Sequence, residues 1–189
     1  MFPSTEVRAS LDDLYRVEGK AELIGGKVVK FMASGDRPSE IAAEIFIGLR
    51  QHAKATGRGI ARADGLGFAV PELASGRESF SPDASYYDGP LPANRMRFIE
   101  GAPTFAVEVR SENDYSPSAH REMAAKRSDY FEAGTLAVWD VDPIAELVHV
   151  YHRDEPAAPR TLARGQIADA GPAVPGWAMA VDEVFGPLI

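Results

Sequence analysis

Thr104-Phe-Ala-Val-Glu-Val109 is the stretch on which the fold turns. Its β-branched and aromatic residues favour a buried strand, yet Glu108 lies inside it. An ionised carboxylate in such a run costs several kcal/mol unless it is paired or bound to a cation. A second acid, Asp83, stands at the start of another short strand, within Ser81-Pro-Asp-Ala84. If the two strands are neighbours, both carboxylates meet at one end of a sheet. Two hard oxygen donors suit Mg²⁺, which takes few protein ligands and keeps several waters for chemistry. The competing reading of Glu108 is an ion pair with Arg110, two residues along on the same strand face.

Around this strand the chain alternates helices and strands. Ser10-Leu-Asp-Asp13 has the form of a capping box and predicts a helix from Leu11 to about residue 18. Ala21-Glu-Leu-Ile24 and Lys27-Val-Val-Lys-Phe31 flank Gly25-Gly26, a strong hairpin signal. Ile41, Ala42, Ile45, Phe46 and Leu49 recur at helical spacing and predict a helix over 39–54, ended by Gly57 and Gly59. One or two strands are expected over 59–70, a loop over 71–80, a strand over 84–87 and a loop over 88–97. A helix over 118–133 is closed by Gly134, and strands over 136–141 and 147–151 follow. The stretch 153–160 holds Asp154, Glu155, Pro156 and Pro159 and reads as a mobile loop. A strand is expected over 162–167, and a closing segment runs from Pro175 to Phe185. The order implies one mixed α/β domain over 1–189, a central sheet flanked by helices.

Two further polar residues sit in apolar settings. Glu22 lies in Ala-Glu-Leu-Ile, where on local grounds it reads as an outward-facing side chain of an alternating strand. Lys126 shares a helical row with Met123 and Tyr130. It borders the apolar face, and its ammonium either turns toward the sheet or snorkels past Tyr130 into water. His52, His120, His149 and His152 form no ligand pair with a nearby acid and read as structural or exposed. Gly25-Gly26 lacks a P-loop lysine pattern, no Gly-x-Ser-x-Gly elbow is present, and with no cysteine there is no thiol nucleophile.

Composition narrows the class. The 189 residues are 45% hydrophobic and 25% charged, ordinary for a globular protein. No apolar run approaches the roughly 20 residues needed to span a bilayer. The first residues lack a basic region followed by an apolar stretch, so no secretory signal is expected. The absence of cysteine excludes disulfides and thiolate metal sites and fits a reducing cytoplasm. The formal charge is −8, against the basic surface common in proteins that hold nucleic-acid phosphates.

Taken in order, Glu22-Leu-Ile-Gly-Gly-Lys-Val28, Ser81-Pro-Asp-Ala-Ser85, Ala106-Val-Glu-Val-Arg-Ser111, the stretch from Lys126 to Gly134, Asp140-Val-Asp-Pro143 and Val148-His-Val-Tyr151 resemble the putative restriction endonuclease family of the PD-(D/E)XK nuclease superfamily. Each motif alone is short; their order and spacing, from about residue 10 to Tyr151, are specific. The resemblance implies a restriction endonuclease-like fold, with a five- or six-stranded mixed sheet and helices on both faces. It places the family's acids on Asp83 and Glu108, its early glutamate on Glu22, and its catalytic lysine on Lys126. The superfamily's lysine normally follows the second acid by two residues, and here Arg110 stands there.

The implied site has Asp83, Glu108 and the backbone carbonyl of Val109 holding Mg²⁺, with Mn²⁺ as a substitute, and Lys126 and Glu22 as catalytic partners. Two function classes follow. One is a Mg²⁺-dependent DNA endonuclease, which by analogy with this fold would work as a homodimer. The other is a DNA-binding or protein-interaction module that has lost cutting, favoured by the net charge and by Arg110. Hydrolysis of another phosphodiester is a third possibility.

Overall fold

A computed structural model describes residues 8–187. The first seven residues, which carry most of the stretch read for a secretory signal, lie outside that range. The chain opens with the short helix α1 (Leu11–Leu14), where Ser10 and Asp13 close the expected capping box reciprocally. The helix stops at Leu14, short of the predicted end. The strands β1 (Ala21–Ile24) and β2 (Lys27–Lys30) then pair antiparallel as expected. Gly25 and Gly26 both have positive φ, 58° and 69°, the conformation a two-residue hairpin turn demands.

Helix α2 (Asp36–Thr56) begins three residues before the predicted start. Pro38 falls in its first turn, where a missing N–H costs no helical hydrogen bond, and Gly57 ends it in a left-handed conformation at φ 67°. The following strands are β3 (Ile60–Ala63), β4 (Phe68–Ala69), β5 (Ser79–Phe80), β6 (Ala84–Tyr87), β7 (Ile99–Glu100) and β8 (Phe105–Val109). Helix α3 (Pro117–Ala133) is capped by the Ser116 hydroxyl, and Gly134 closes it at φ 109°. The chain ends with β9 (Ala137–Asp142), β10 (Leu147–His152), β11 (Glu155–Leu162), β12 (Ile167–Asp169), β13 (Ala178–Ala180) and α4 (Val181–Phe185).

Six of these strands form the central sheet, in the order β11-β10-β9-β8-β6-β3. Only β8 and β9 run parallel, joined by α3 as the crossover, and every other pair in this sheet is antiparallel. The alternation of β8 sorts its side chains onto two faces. Phe105, Val107 and Val109 pack with Ile41, Ile45 and Leu49 of α2 and with Trp139 and Trp177. Ala106 packs with Val138 and Tyr130 on the side of α3, and Glu108 shares that side. Trp177, from the closing segment, stacks on Trp139 at 5.1 Å and 29°, so the chain's last elements cover the α2 face.

Three expectations differ from the structure. The stretch 153–160, read as a mobile loop, is mostly the edge strand β11, paired with β10 through Val148↔Leu162 and Val150↔Arg160. Its prolines, Pro156 and Pro159, are tolerated because an edge strand has one unpaired side. The predicted strand over 162–167 is a tight turn, in which Gln166 N–H donates to the Ala163 carbonyl at 3.1 Å. The two loops read over 71–80 and 88–97 end in or lead into the two-residue strands β5 and β7, both in a small sheet with β4. Such short strands leave no periodicity to read.

Candidate active site

Asp83 and Glu108 lie across from each other. Strand β6 pairs with β8 in the register Ala84↔Val107, and the Asp83 N–H donates to the Val107 carbonyl at 3.0 Å. Continuing that antiparallel register sets Asp83 opposite Glu108. The Asp83 carboxylate bends back to accept the Val109 N–H at 2.8 Å. Two acids 25 positions apart in the chain thus become cross-strand neighbours.

Helix α3 supplies the partners of Glu108. Lys126 Nζ lies 2.9 Å from the Glu108 carboxylate and 3.1 Å from Glu22 Oε1. Tyr130, one helical turn on, donates its hydroxyl to Glu108 Oε1 at 2.6 Å, and Phe80 stacks on its ring at 4.1 Å. Burial pushes the Glu108 carboxyl above the usual carboxylate range; the Lys126 cation opposes that and the charge of Asp83 adds to it. Burial works against the Lys126 ammonium, but Glu108 and Glu22 together raise its pKa. The Tyr130 hydroxyl is driven well above its ordinary range by burial and by Glu108, so it stays a donor.

Glu22 is completely buried, which overturns the reading of an outward-facing side chain. One oxygen accepts the Ser81 N–H at 2.9 Å, and the other meets the Arg77 guanidinium. Arg77 in turn donates to Asp129 at 2.8 Å. Burial disfavours the Glu22 charge, yet Lys126, Arg77 and the Ser81 N–H hold its pKa below the ordinary value. The hairpin, the 71–80 segment with Ser81 after it, and α3 meet at this carboxylate.

Arg110 is not the partner of Glu108. It donates to Asp140 at 2.7 Å and to Asp142 at 2.9 Å, both on β9. Asp140 sits beside Glu108 in the parallel register, and Arg127, next to Lys126 on α3, reaches it at 3.0 Å. Adjacent residues of one helix therefore serve acids on adjacent strands, and the guanidiniums stay with β9.

Glu22, Asp83, Glu108 and Lys126 all converge. Sequence reasoning missed Lys20, whose ammonium bridges Asp83 at 2.6 Å and Asp64 at 2.8 Å. Burial opposes its charge, but Asp83 and Glu108 raise its pKa. Its signal was its spacing, two residues before Glu22 at the mouth of the hairpin, where it falls on the same side. Arg77 and Asp129 left no signal, since a loop arginine and a helix aspartate are ordinarily solvated. A cleft of about 390 Å³ opens beside Asp83, lined on the other side by Ala42, Ala43, Phe46 and Ile47 of α2.

The donor set is two carboxylates at strand ends with the Val109 backbone beside them, accompanied by two ammoniums. Among the described residues, no group of three or more histidine or acidic side chains gathers as a metal cluster. Asp83 and Glu108 are hard oxygen donors of the type Mg²⁺ takes from proteins, and each is held here by an ammonium, Lys20 on Asp83 and Lys126 on Glu108.

A six-stranded mixed sheet between α2 and α3, with acids at the facing ends of β6 and β8, defines a restriction endonuclease-like α/β protein. Residues 9–182 match the family model Uma2, described as "Putative restriction endonuclease", and the chain belongs to that family. A crystal structure from Anabaena variabilis, described as a putative nuclease belonging to DUF820, superposes with a TM-score of 0.72. It shares 18% identity and the match covers 93% of this chain and 97% of that one, a likeness of fold. A comparison with curated proteins finds no match. No helix among the described residues is long and apolar enough to cross a membrane.

Proposed function

We propose that this protein is a Mg²⁺-dependent nuclease that hydrolyses DNA phosphodiester bonds at Asp83, Glu108 and Lys126. The observation that carries the reading is the placement of Lys126. A partly buried ammonium held 2.9 Å from the second acid takes the part of the lysine that Arg110 displaces from the strand. Asp83, Glu108 and the Val109 carbonyl are the groups that would hold the ion, with Mn²⁺ as a substitute. When bound, the ion supplies Lewis-acid polarisation of the phosphate and acidifies a water for in-line attack.

The chain's own residues do the rest. Lys126 donates hydrogen bonds and positive charge toward the oxygens that grow more negative as the pentacovalent transition state forms. Glu22 is a positioning residue: it holds the Lys126 ammonium at 3.1 Å and does not need to touch substrate. Tyr130 orients the Glu108 carboxylate through its short hydrogen bond. Lys20 holds the Asp83 carboxylate in place through its ion pair at 2.6 Å.

The alternative, a nuclease-fold module that binds without cutting, draws on the −8 charge and on Arg110. Nicking of supercoiled plasmid in Mg²⁺ separates the two. Lys126→Ala is expected to lower the nicking rate at least about a hundredfold, the scale of losing one preorganised charge donor. Arg110→Ala, which removes contacts to β9 and to the Tyr115 ring, is expected to change it by less than about tenfold. Activity falling more in Arg110→Ala than in Lys126→Ala would assign the cation wrongly, and no nicking by the wild type would favour the module.

A further inference from the structure

Near the cleft beside Asp83, beyond the residues that line it, stand three arginines that the net charge conceals. Arg50 lies one turn after Phe46 on α2, with its guanidinium 5.8 Å from the centre of that ring, and Phe46 lines the cleft. Arg62 lies on β3, in register with Ser85, two residues before the cleft residue Asp64. Strand β3 is the free edge of the central sheet. Arg95 comes from the turn over 94–97, fixed by the Asn94 side chain accepting the Met96 N–H at 3.0 Å.

These three guanidiniums have no acidic partner among the described residues, while their neighbours do. Arg97 meets Asp12 at 2.8 Å, Arg58 meets Asp88 at 3.1 Å, and Asp64 is taken by Lys20. The pKa of the Arg62 guanidinium is lowered by burial and then by the charges of Arg95 and Arg50, so Arg62 lies within electrostatic reach of both. A single charge on an edge strand guards against unwanted pairing. Three unneutralised ones from a helix, a strand and a turn, in a chain of net charge −8, repel each other with no structural return.

We infer that Arg50, Arg62 and Arg95 bind backbone phosphates of a nucleic-acid strand that enters the cleft toward Asp83, with the apolar wall at Phe46 receiving an unpaired base. The inference rests on the nuclease reading for its substrate but not for its test. Arginine is suited to the task because its planar fork pairs with phosphate bidentately. An aromatic ring under an arginine is the platform on which single strands stack. A cleft of about 390 Å³ is of a size to take one nucleotide, so the strand that enters it is single or locally opened.

The test is fluorescence anisotropy of a labelled DNA single strand of about 20 nucleotides, in EDTA so that no strand is cut. Each phosphate contact contributes about 0.7 to the slope of log affinity against log salt for single strands. Replacing Arg50, Arg62 and Arg95 together by glutamine is expected to reduce the slope by about 2 and the affinity about a hundredfold near 0.1 M salt. Arg153→Gln, at the turn leading into the opposite edge strand β11, should change affinity less than about twofold. Equal weakening by Arg153→Gln, an unchanged slope in the triple variant, or no binding by the wild type would overturn the inference. Because the assay needs no metal, arginine-dependent binding by a protein that never nicks would sink the nuclease reading and leave this one standing.

Discussion

Glu22→Gln is expected to destabilise the protein by about 3 kcal/mol, the low end for breaking a buried ion pair by removing one partner. The carboxylate is completely buried and touches Arg77, Lys126 and the Ser81 N–H. Both cations keep one acid each, Asp129 for Arg77 and Glu108 for Lys126, which is why the loss falls at the low end. Glutamine keeps the shape and the acceptor for Ser81, so the effect isolates the charge. Urea unfolding should show a lower midpoint at unchanged slope.

The same pair sets a pH dependence. The folded pKa of Glu22 lies below its ordinary value near 4.5. Its contribution is therefore fully present above that value and is lost as pH falls through the folded pKa. The stability gap between wild type and Glu22→Gln should be widest at neutral pH and close progressively below about pH 4.5. A gap that stays constant down to pH 3 would mean the carboxylate is not held by cations.

Glu108→Ala is expected to lower DNA nicking by on the order of a thousandfold or more. Loss of metal-derived charge stabilisation is worth several kcal/mol, at about 1.4 kcal/mol per factor of ten. The variant also frees Lys126 and Tyr130 from the acid that positions them, so two contributions fail together. Its stability should not collapse in parallel, because Glu108 is partly exposed and carries a raised pKa. A folded Glu108→Ala protein that nicks at the wild-type rate would remove this acid from the chemistry.

Glu108, Glu22 and Lys126 drew notice because each broke a local pattern, while the family resemblance raised them, with Asp83, to site residues. Glu108 interrupts an apolar strand, Glu22 another, and Lys126 borders the apolar side of its helix. The pattern could not say where the broken residues point. Glu22 read locally as solvated because alternation in a four-residue strand is too short to fix a face. The face is set by Arg77, 55 positions away, and only the folded chain brings it near. Arg110 misled for a related reason: proximity along a strand suggests Glu108 as its partner, whereas strand order places Asp140 and Asp142 closer. In the fold itself, the hairpin, both long helices and the central strands were readable from glycine turns, caps and periodicity. Strand β11 was not, because two prolines and four exposed residues in a row look like loop until β10 is known to lie beside it.

The account stands on Asp83 and Glu108 sharing one divalent ion. Calorimetric titration of Mn²⁺ into the wild type and into Asp83→Ala reads that sharing without any DNA present. A single saturable site in the wild type, lost in Asp83→Ala, is the predicted result. Heat traces that are flat for the wild type, or identical for the two proteins, would contradict it.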